Sequence, residues 1–373
     1  MWLVALLAVH GMIHLLGFAK WSRLASVPQL NGHLLVPLSN LGERLFAVGW
    51  FTAFTLLLAA GVLRVARHEL WWVVALSGVL LSQGLIAIAW SDAKAGTIAN
   101  VIILASVAVA AAHASFDRRV DREAGALLRE ANSDRRVVAA EELRIFPAPV
   151  RKWLERSGVV GRPRTATVRL HQLGAIRMKP DAPWMAARAE QYGSVDPPGF
   201  VWRVDAEMMR VVPVTGRDRY VGGRGEMLIK AASLVTVVHA ADEAIDLGAM
   251  LRYLAEIIWV PSAAMERHIS WEPIDATHAR ATMRDAGRAA GGVFTFDEQG
   301  RALRFDAERP MGGGNDAKLT PWFGISSEWR RVEGIEVPTR GEVGWQLPTG
   351  RFVYYRWEIS DVQFNRTDLF HRR

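Results

Sequence analysis

The chain contains no cysteine. Disulfides, thiol nucleophiles, cysteine-ligated zinc and iron–sulfur clusters are therefore excluded together, although neither side of a membrane is. Catalytic signatures are missing as well: there is no His-Glu-x-x-His, no Gly-x-Ser-x-Gly and no phosphate loop. The stretch Met311-Gly312-Gly313-Gly314-Asn315 is glycine-rich, but no Lys-Ser/Thr follows it, so it reads as a flexible loop. Carboxylate pairs have no fixed spacing, so the sequence assigns no catalytic residue and leaves catalysis open. Also absent is a Lys/Arg block long enough to be a nucleic-acid arm, despite a net charge of +7 and a pI near 10.0. Beside apolar spans, such a balance reads as membrane topology and attraction to anionic headgroups, and nucleic acid is not an expected partner.

Charge is scarce in the first third of the chain. Hydrophobic residues make up 50% of the whole and mean hydropathy is +0.09, but the average conceals a change near Ser115. Four segments before it, Met1 to Ala19, Phe46 to Leu63, Trp71 to Trp90 and Thr97 to Ser115, are each close to the ~20 residues that cross a hydrocarbon core. The first lacks a basic start and a small-x-small cleavage site, so it reads as a retained helix and not as a signal peptide. An even number of spans puts both ends on one side. Arg64, Arg67, Arg118, Arg119 and Arg122 flank that side, against Lys20, Arg23, Arg44 and Lys94 on the other, which favours a cytoplasmic tail.

Polar residues inside these spans form the first candidate site. His10 and His14 lie four apart and share a helix face with Gly17, while Asp92, Lys94 and Asn100 make the densest polar group near the third and fourth spans. An intramembrane histidine pair suits a metal, redox or proton-handling centre. The plainer account is that neutral imidazoles tie the helices together, since no third ligand is visible, and that Asp92 and Lys94 form an interfacial ion pair. By position, His14 is the nearer to the Asp92 group. Gly78 and Ser82 in the third span form a small-xxx-small surface with Gln83 beside it, which favours close helix packing.

After Ser115 the chain becomes charged. Residues 116–145 read as a helical connector and 146–373 as a soluble β-rich domain. A short helix has Pro149 in its first turn, Val150, Trp153 and Leu154 on one face, and Gly158 as its stop. Beyond it the period becomes two: Phe200, Trp202, Val204, Ala206 and Met208 alternate with Val201, Arg203, Asp205 and Glu207. Similar runs cover Thr167 to Lys179, Trp184 to Val195, Arg280 to Met283, Val293 to Asp297, Ala302 to Glu308, Ile335 to Trp345 and Phe352 to Phe364. Turns such as Glu333-Gly334 and Leu347-Pro348-Thr349-Gly350 join them, and short links mean antiparallel neighbours. A helix with Asp246 as N-cap and Leu247, Met250, Leu251, Leu254, Ile257 and Ile258 as its apolar stripe is expected to cover the concave face.

The predicted fold is thus an all-α bundle of four spans followed by an α+β domain, a curved antiparallel half-barrel with a covering helix. Aromatic rings on alternating strands usually fill a core, but a curved sheet under one helix can also leave an apolar cavity. Trp184, Tyr192, Trp202, Tyr220, Trp259 and Tyr354 are the candidate lining, with Glu190 and Arg340 as candidate headgroup contacts. Cross-strand ion pairs on a wet face are the plainer account of those two charges. Membrane lipid or a hydrophobic small molecule is the expected partner, and the sequence leaves any cofactor or metal open.

Three motifs in the first half, His10-Gly11-x-x-His14-x-x-Gly17-Phe18, Trp90-Ser91-Asp92-Ala93-Lys94-x-Gly96-Thr97 and Pro147-x-Pro149-Val150-Arg151-x-Trp153-Leu154, together resemble an uncharacterised bacterial membrane-protein family over nearly the whole chain. Phe294-Thr295-Phe296-Asp297-Glu298-x-Gly300 and Pro338-Thr339-Arg340-Gly341-Glu342 add to it, and the soluble half is similar to the half-barrel of Lol-type lipoprotein carriers. The resemblance implies a bacterial inner membrane protein with that fold, and it implies no activity.

Overall fold

The computed structural model describes residues 1–132, 136–208 and 212–370. Residues 133–135 of the expected connector lie outside the described residues. The chain divides into two compact units, one from Met1 to Ser115 and one from Phe116 onward.

The first unit consists of helices α1 (Trp2–Trp21), α2 (Asn40–Val65), α3 (Trp71–Ile88), the short α4 (Trp90–Ala93) and the start of α5 (Gly96–Glu130). Helices α1, α2, α3 and α5 are long and apolar enough to cross a membrane. The faces of α1 are inverted relative to a water-soluble helix. Val9, Met12, Ile13 and Leu16 are at least half exposed, whereas His10 and His14 are buried beside Leu3 and Leu7. Polar groups turned inward and aliphatic groups turned outward suit an apolar solvent. Gly17 lets α1 approach α2, since a Cβ there would come within 2.5 Å of the Trp50 ring.

The second unit is built on one sheet of thirteen strands, all antiparallel to their neighbours. After α6 (Ala148–Ser157) come β1 (Thr167–Ile176), β2 (Met185–Ser194), β3 (Gly199–Met208), β4 (Val212–Val221), β5 (Arg224–Ala231) and β6 (Val235–Ala240). Helix α7 (Glu243–Glu256) follows, then β7 (Ile269–Pro273), β8 (His278–Asp285), β9 (Arg288–Phe296), β10 (Ala302–Met311), β11 (Lys318–Val332), β12 (Ile335–Leu347) and β13 (Gly350–Phe364). Tight turns hold the hairpins; Glu333 and Gly334, both at positive φ (50° and 84°), form the two-residue link of β11 to β12.

The strand order is β6-β5-β4-β3-β2-β1-β13-β12-β11-β10-β9-β8-β7, a curled half-barrel. Its two edges, β6 and β7, are consecutive along the chain apart from α7, so the segment that joins them must cross the concave face. That is where α7 packs, against β4, β5, β8, β9 and β10. The main core lies under it and includes Met250, Leu251, Leu254, Trp153, Phe294, Phe305 and Trp357. On the opposite face, Phe116, Val120, Ala124, Leu127 and Leu128 of α5 cover Tyr192, Val201 and Leu228.

Helix α7 begins one turn before the position read from the sequence. Asp242 is its N-cap and accepts from Ile245 N at 3.0 Å. Asp246 is instead buried inside the helix; it accepts from Gly225 N at 2.7 Å and pairs with Arg224 and Arg288 at 3.0 Å each. Its short polar side chain made it look like a cap, whereas its partners come from β5 and β9.

Candidate functional site

Between α7 and the concave face lies a cavity of about 530 Å³. Strand alternation supplies its walls: Trp202, Val204 and Ala206 of β3, Val214 and Gly216 of β4, Met227 and Ile229 of β5, Phe305 of β10, Trp322 and Gly324 of β11, and Val343 and Trp345 of β12. Ile245, Ala249 and Ile258 close it from the helix side. The volume and the mainly apolar lining are those of a small-molecule site.

Polar groups in this lining are few and mostly engaged. Gln172 Oε1 accepts from Trp202 Nε1 at 3.0 Å and from the Tyr355 hydroxyl at 2.7 Å. Burial pushes the Tyr355 hydroxyl up, which keeps it a neutral donor. Arg252 of α7 donates to Asp218 at 2.7 Å, Glu256 at 2.8 Å and Gln191 at 3.2 Å, with Phe200 and Trp202 rings 4.7 Å away. Burial opposes its charge, yet Glu256 and Asp218 raise its pKa, so it stays ionised. The Nε1 of Trp259, which also lines the cavity, has no hydrogen-bond partner among the described residues.

Of the residues singled out from the sequence, Trp202, Trp259 and Tyr354 line this cavity. The other five lie elsewhere, for reasons of register and packing. Tyr192 pairs with Val201 and Glu190 with Arg203, which puts both on the opposite face from Trp202; Tyr192 is buried there against α5. Tyr220 is on the concave side but in its packed part, where its hydroxyl donates to Asp285 at 2.6 Å. Trp184 precedes β2 and lies between the guanidinium groups of Arg177 and Arg356, at 4.7 and 4.6 Å. Arg340 is exposed and pairs with Glu328 at 2.8 Å and Glu358 at 3.1 Å. Sequence reasoning missed Arg252 and Arg309, which only the folded sheet brings to the cavity.

In the first unit, His10, His14 and Asn100 do converge, joined by Ser82. Their hydrogen bonds assign one consistent set of donors. His14 Nδ1 donates to His10 O at 2.7 Å, so its Nε2 accepts from Ser82 Oγ at 2.8 Å. His10 Nε2 donates to Asn100 Oδ1 at 2.9 Å, and Asn100 Nδ2 donates to Ser82 Oγ and Gln83 Oε1, both at 3.0 Å. These bonds are satisfied with both imidazoles neutral, and neither nitrogen of His14 is left for a metal. Among the described residues no group of three or more His, Asp or Glu side chains could hold one. Asp92 stands apart, because its carboxylate accepts from Asn31 N at 3.0 Å and Gly32 N at 2.8 Å, capping a loop. Lys94 is exposed, and among the described residues no ion pair joins it to Asp92.

Residues 136–357, well over half of the chain, match the profile of a family of unknown function, DUF6544. The chain belongs to DUF6544. The match begins after the helices of the first unit, so the motifs around His10 and Asp92 lie outside it. No curated protein matches this DUF6544 member. Among solved structures it is similar to a domain named for outer-membrane lipoprotein sorting from Vibrio parahaemolyticus, at 10% identity and a TM-score of 0.32 over 54% of this chain and 86% of that one. A DUF1329 family protein from Desulfovibrio piger is similar at 11% identity and a TM-score of 0.33, over 58% and 92%. A LolA superfamily protein from Nitrosomonas europaea is similar at 11% identity and a TM-score of 0.30, over 61% and 94%.

Proposed function

We propose that this DUF6544 protein is an integral membrane protein whose β-rich domain holds a hydrophobic or amphipathic ligand, a membrane lipid, beside the bilayer. The observation that carries the reading is the roughly 530 Å³ cavity, walled by aliphatic and aromatic side chains, in a chain that also has four helices apolar enough to cross a membrane. A soluble domain tethered this way stays at high local concentration over the lipid it would take up. The full chain, purified in lipid nanodiscs and then transferred to a non-lipid detergent, is expected to retain lipid in near-equal molar amount when analysed by native mass spectrometry. A protein that retains none, and whose unfolding temperature no added lipid shifts, would sink the reading.

The site of action we propose is the bacterial inner membrane, with the second unit in the cytoplasm. The arginines flanking the even-numbered side support that orientation. Absence of cysteine makes it simple to test. A Thr349→Cys protein, with its one thiol in the exposed β12–β13 turn, should resist a membrane-impermeant maleimide in intact spheroplasts and react after lysis; labelling of intact spheroplasts reverses the orientation.

A further inference from the structure

Two arginines turn their guanidinium groups to the cavity, Arg252 and Arg309. Arg252 has Asp218 and Glu256 as carboxylate partners, whereas among the described residues no carboxylate pairs with Arg309. Glu308, next to it on β10, is exposed, as the alternation of the strand requires.

Arg309 is nonetheless held in place. Its Nε donates to the Gly248 carbonyl in the middle of α7 at 3.1 Å, and its Nη1 donates to the Tyr354 hydroxyl at 3.2 Å. The guanidinium lies 4.8 Å from the Trp322 ring and 5.8 Å from that of Trp345. A Cβ at Gly248 would stand 3.4 Å from Arg309 Nε, an ordinary van der Waals contact, so the guanidinium packs directly on this turn of α7.

Only two of the five guanidinium N–H groups are used in these bonds. The Tyr354 oxygen accepts from Arg309 and also from Trp322 Nε1 at 3.0 Å, so its lone pairs are taken while its own proton has no acceptor among the described residues. A cation and a hydroxyl proton, fixed by neutral groups and facing an apolar cavity, make a donor set that lacks an acceptor. A half-buried charge without a counter-ion is costly, and an oxyanion supplied by the ligand would remove that cost.

We propose that the cavity selects amphiphiles with an anionic headgroup, a carboxylate or a phosphate, bound by Arg309 and Tyr354 while the apolar chain occupies the space lined by β3, β4, β5 and α7. This rests on the lipid-cavity reading above and adds the headgroup chemistry to it.

Hexadecanoic acid, hexadecyl phosphate and 1-hexadecanol have the same chain and differ in the head, and inorganic phosphate has no chain. Binding of each is measured on the full-length protein in phosphatidylcholine nanodiscs at neutral pH. The two anionic amphiphiles are expected to bind at least about tenfold tighter than the alcohol, the factor that about 1.4 kcal/mol supplies. Inorganic phosphate is expected not to bind at the same concentrations. Arg309→Gln should lower binding of the acid and the phosphate by about tenfold, to the level of the alcohol, and Tyr354→Phe should lower the preference severalfold.

Equal binding of acid, phosphate and alcohol overturns the proposal and leaves the lipid cavity standing. Binding of none of the three defeats the cavity reading itself. Phosphate binding as tightly as hexadecyl phosphate replaces the amphiphile with a free-anion site and overturns the proposal too. If Arg309→Gln loses the alcohol as well, the decision passes to Tyr354→Phe, in which an unchanged acid-to-alcohol ratio overturns it.

Discussion

Replacing Gly324 with phenylalanine is expected to abolish ligand retention while leaving the domain at least as stable. Gly324 sits on β11 between Phe305 and Val343 and lines the cavity, and a Cβ built there meets nothing within 4 Å. Its backbone is not in the left-handed region, so a larger side chain brings no strain of its own. A phenyl ring would therefore enter free space and occupy part of the volume that a lipid chain needs. Filling an existing cavity in this way commonly adds about 0.5–2 kcal/mol to stability. The expected result is a fall of at least about tenfold in bound lipid by mass spectrometry, with a thermal midpoint equal to or above that of the wild type. If Gly324→Phe retains lipid at the wild-type level, the space beneath α7 is not the binding site.

The alternation in β3 was legible because its outward positions carry Arg203, Asp205 and Glu207, so Trp202 and its inward neighbours stand out. The same alternation exists in β2, but which of its faces turns inward depends on its pairing. Tyr192 opposes Val201 and not Trp202, and a single step of register moves an entire face. In β13 the two consecutive tyrosines 354 and 355 both reach the cavity, since the register with β12 shifts between Val343 and Gly344. Such a bulge breaks the period of two and leaves no mark in the sequence.

Strands β4, β5, β6, β7 and β11 were not read in advance. In β4 and β5 the charges of Arg217, Arg219 and Glu226 break up the apolar runs that mark strands, and these same charges are paired across the outer face. Arg309 was invisible for a related reason. A lone arginine before Pro310 looks like any surface charge until the fold shows that no carboxylate among the described residues reaches it. In the first half, the shared face of His10 and His14 followed from helical spacing, whereas the bond of His10 to Asn100 depended on helix packing and the separate position of Asp92 on a loop whose amides it caps.

The outer face also carries the largest expected loss of stability. The Arg217 side chain is fully buried between Glu226 at 2.5 Å and Glu123 at 3.1 Å. Arg119 and Arg219 also reach Glu226, at 3.0 and 3.1 Å. Burial pushes the Glu226 carboxyl up, but Arg217, Arg219 and Arg119 outweigh it and hold the group down at about 2, against an ordinary value of 4.5. Glu226→Gln would leave three cations around a neutral amide, with Glu123 still beside Arg217 and Arg119; breaking a buried pair from one side typically costs about 3–5 kcal/mol, and the remaining carboxylate puts this loss near the lower end. Arg217→Met should cost less, because Glu226 keeps Arg119 and Arg219, and a methionine fills much of the vacated volume.

The sign of the pH dependence follows from the lowered value. The folded state binds the proton more weakly than the unfolded chain, so the contribution of Glu226 is complete above about pH 4.5 and is lost as pH falls towards about 2. Denaturant unfolding of the full chain at a series of pH values should show wild-type stability falling through that window. In Glu226→Gln the curve should start lower at neutral pH and lose less on acidification, so that the two proteins converge near pH 2. Parallel curves, separated by a constant amount at every pH, would show that the loss comes from packing and not from the charge of Glu226.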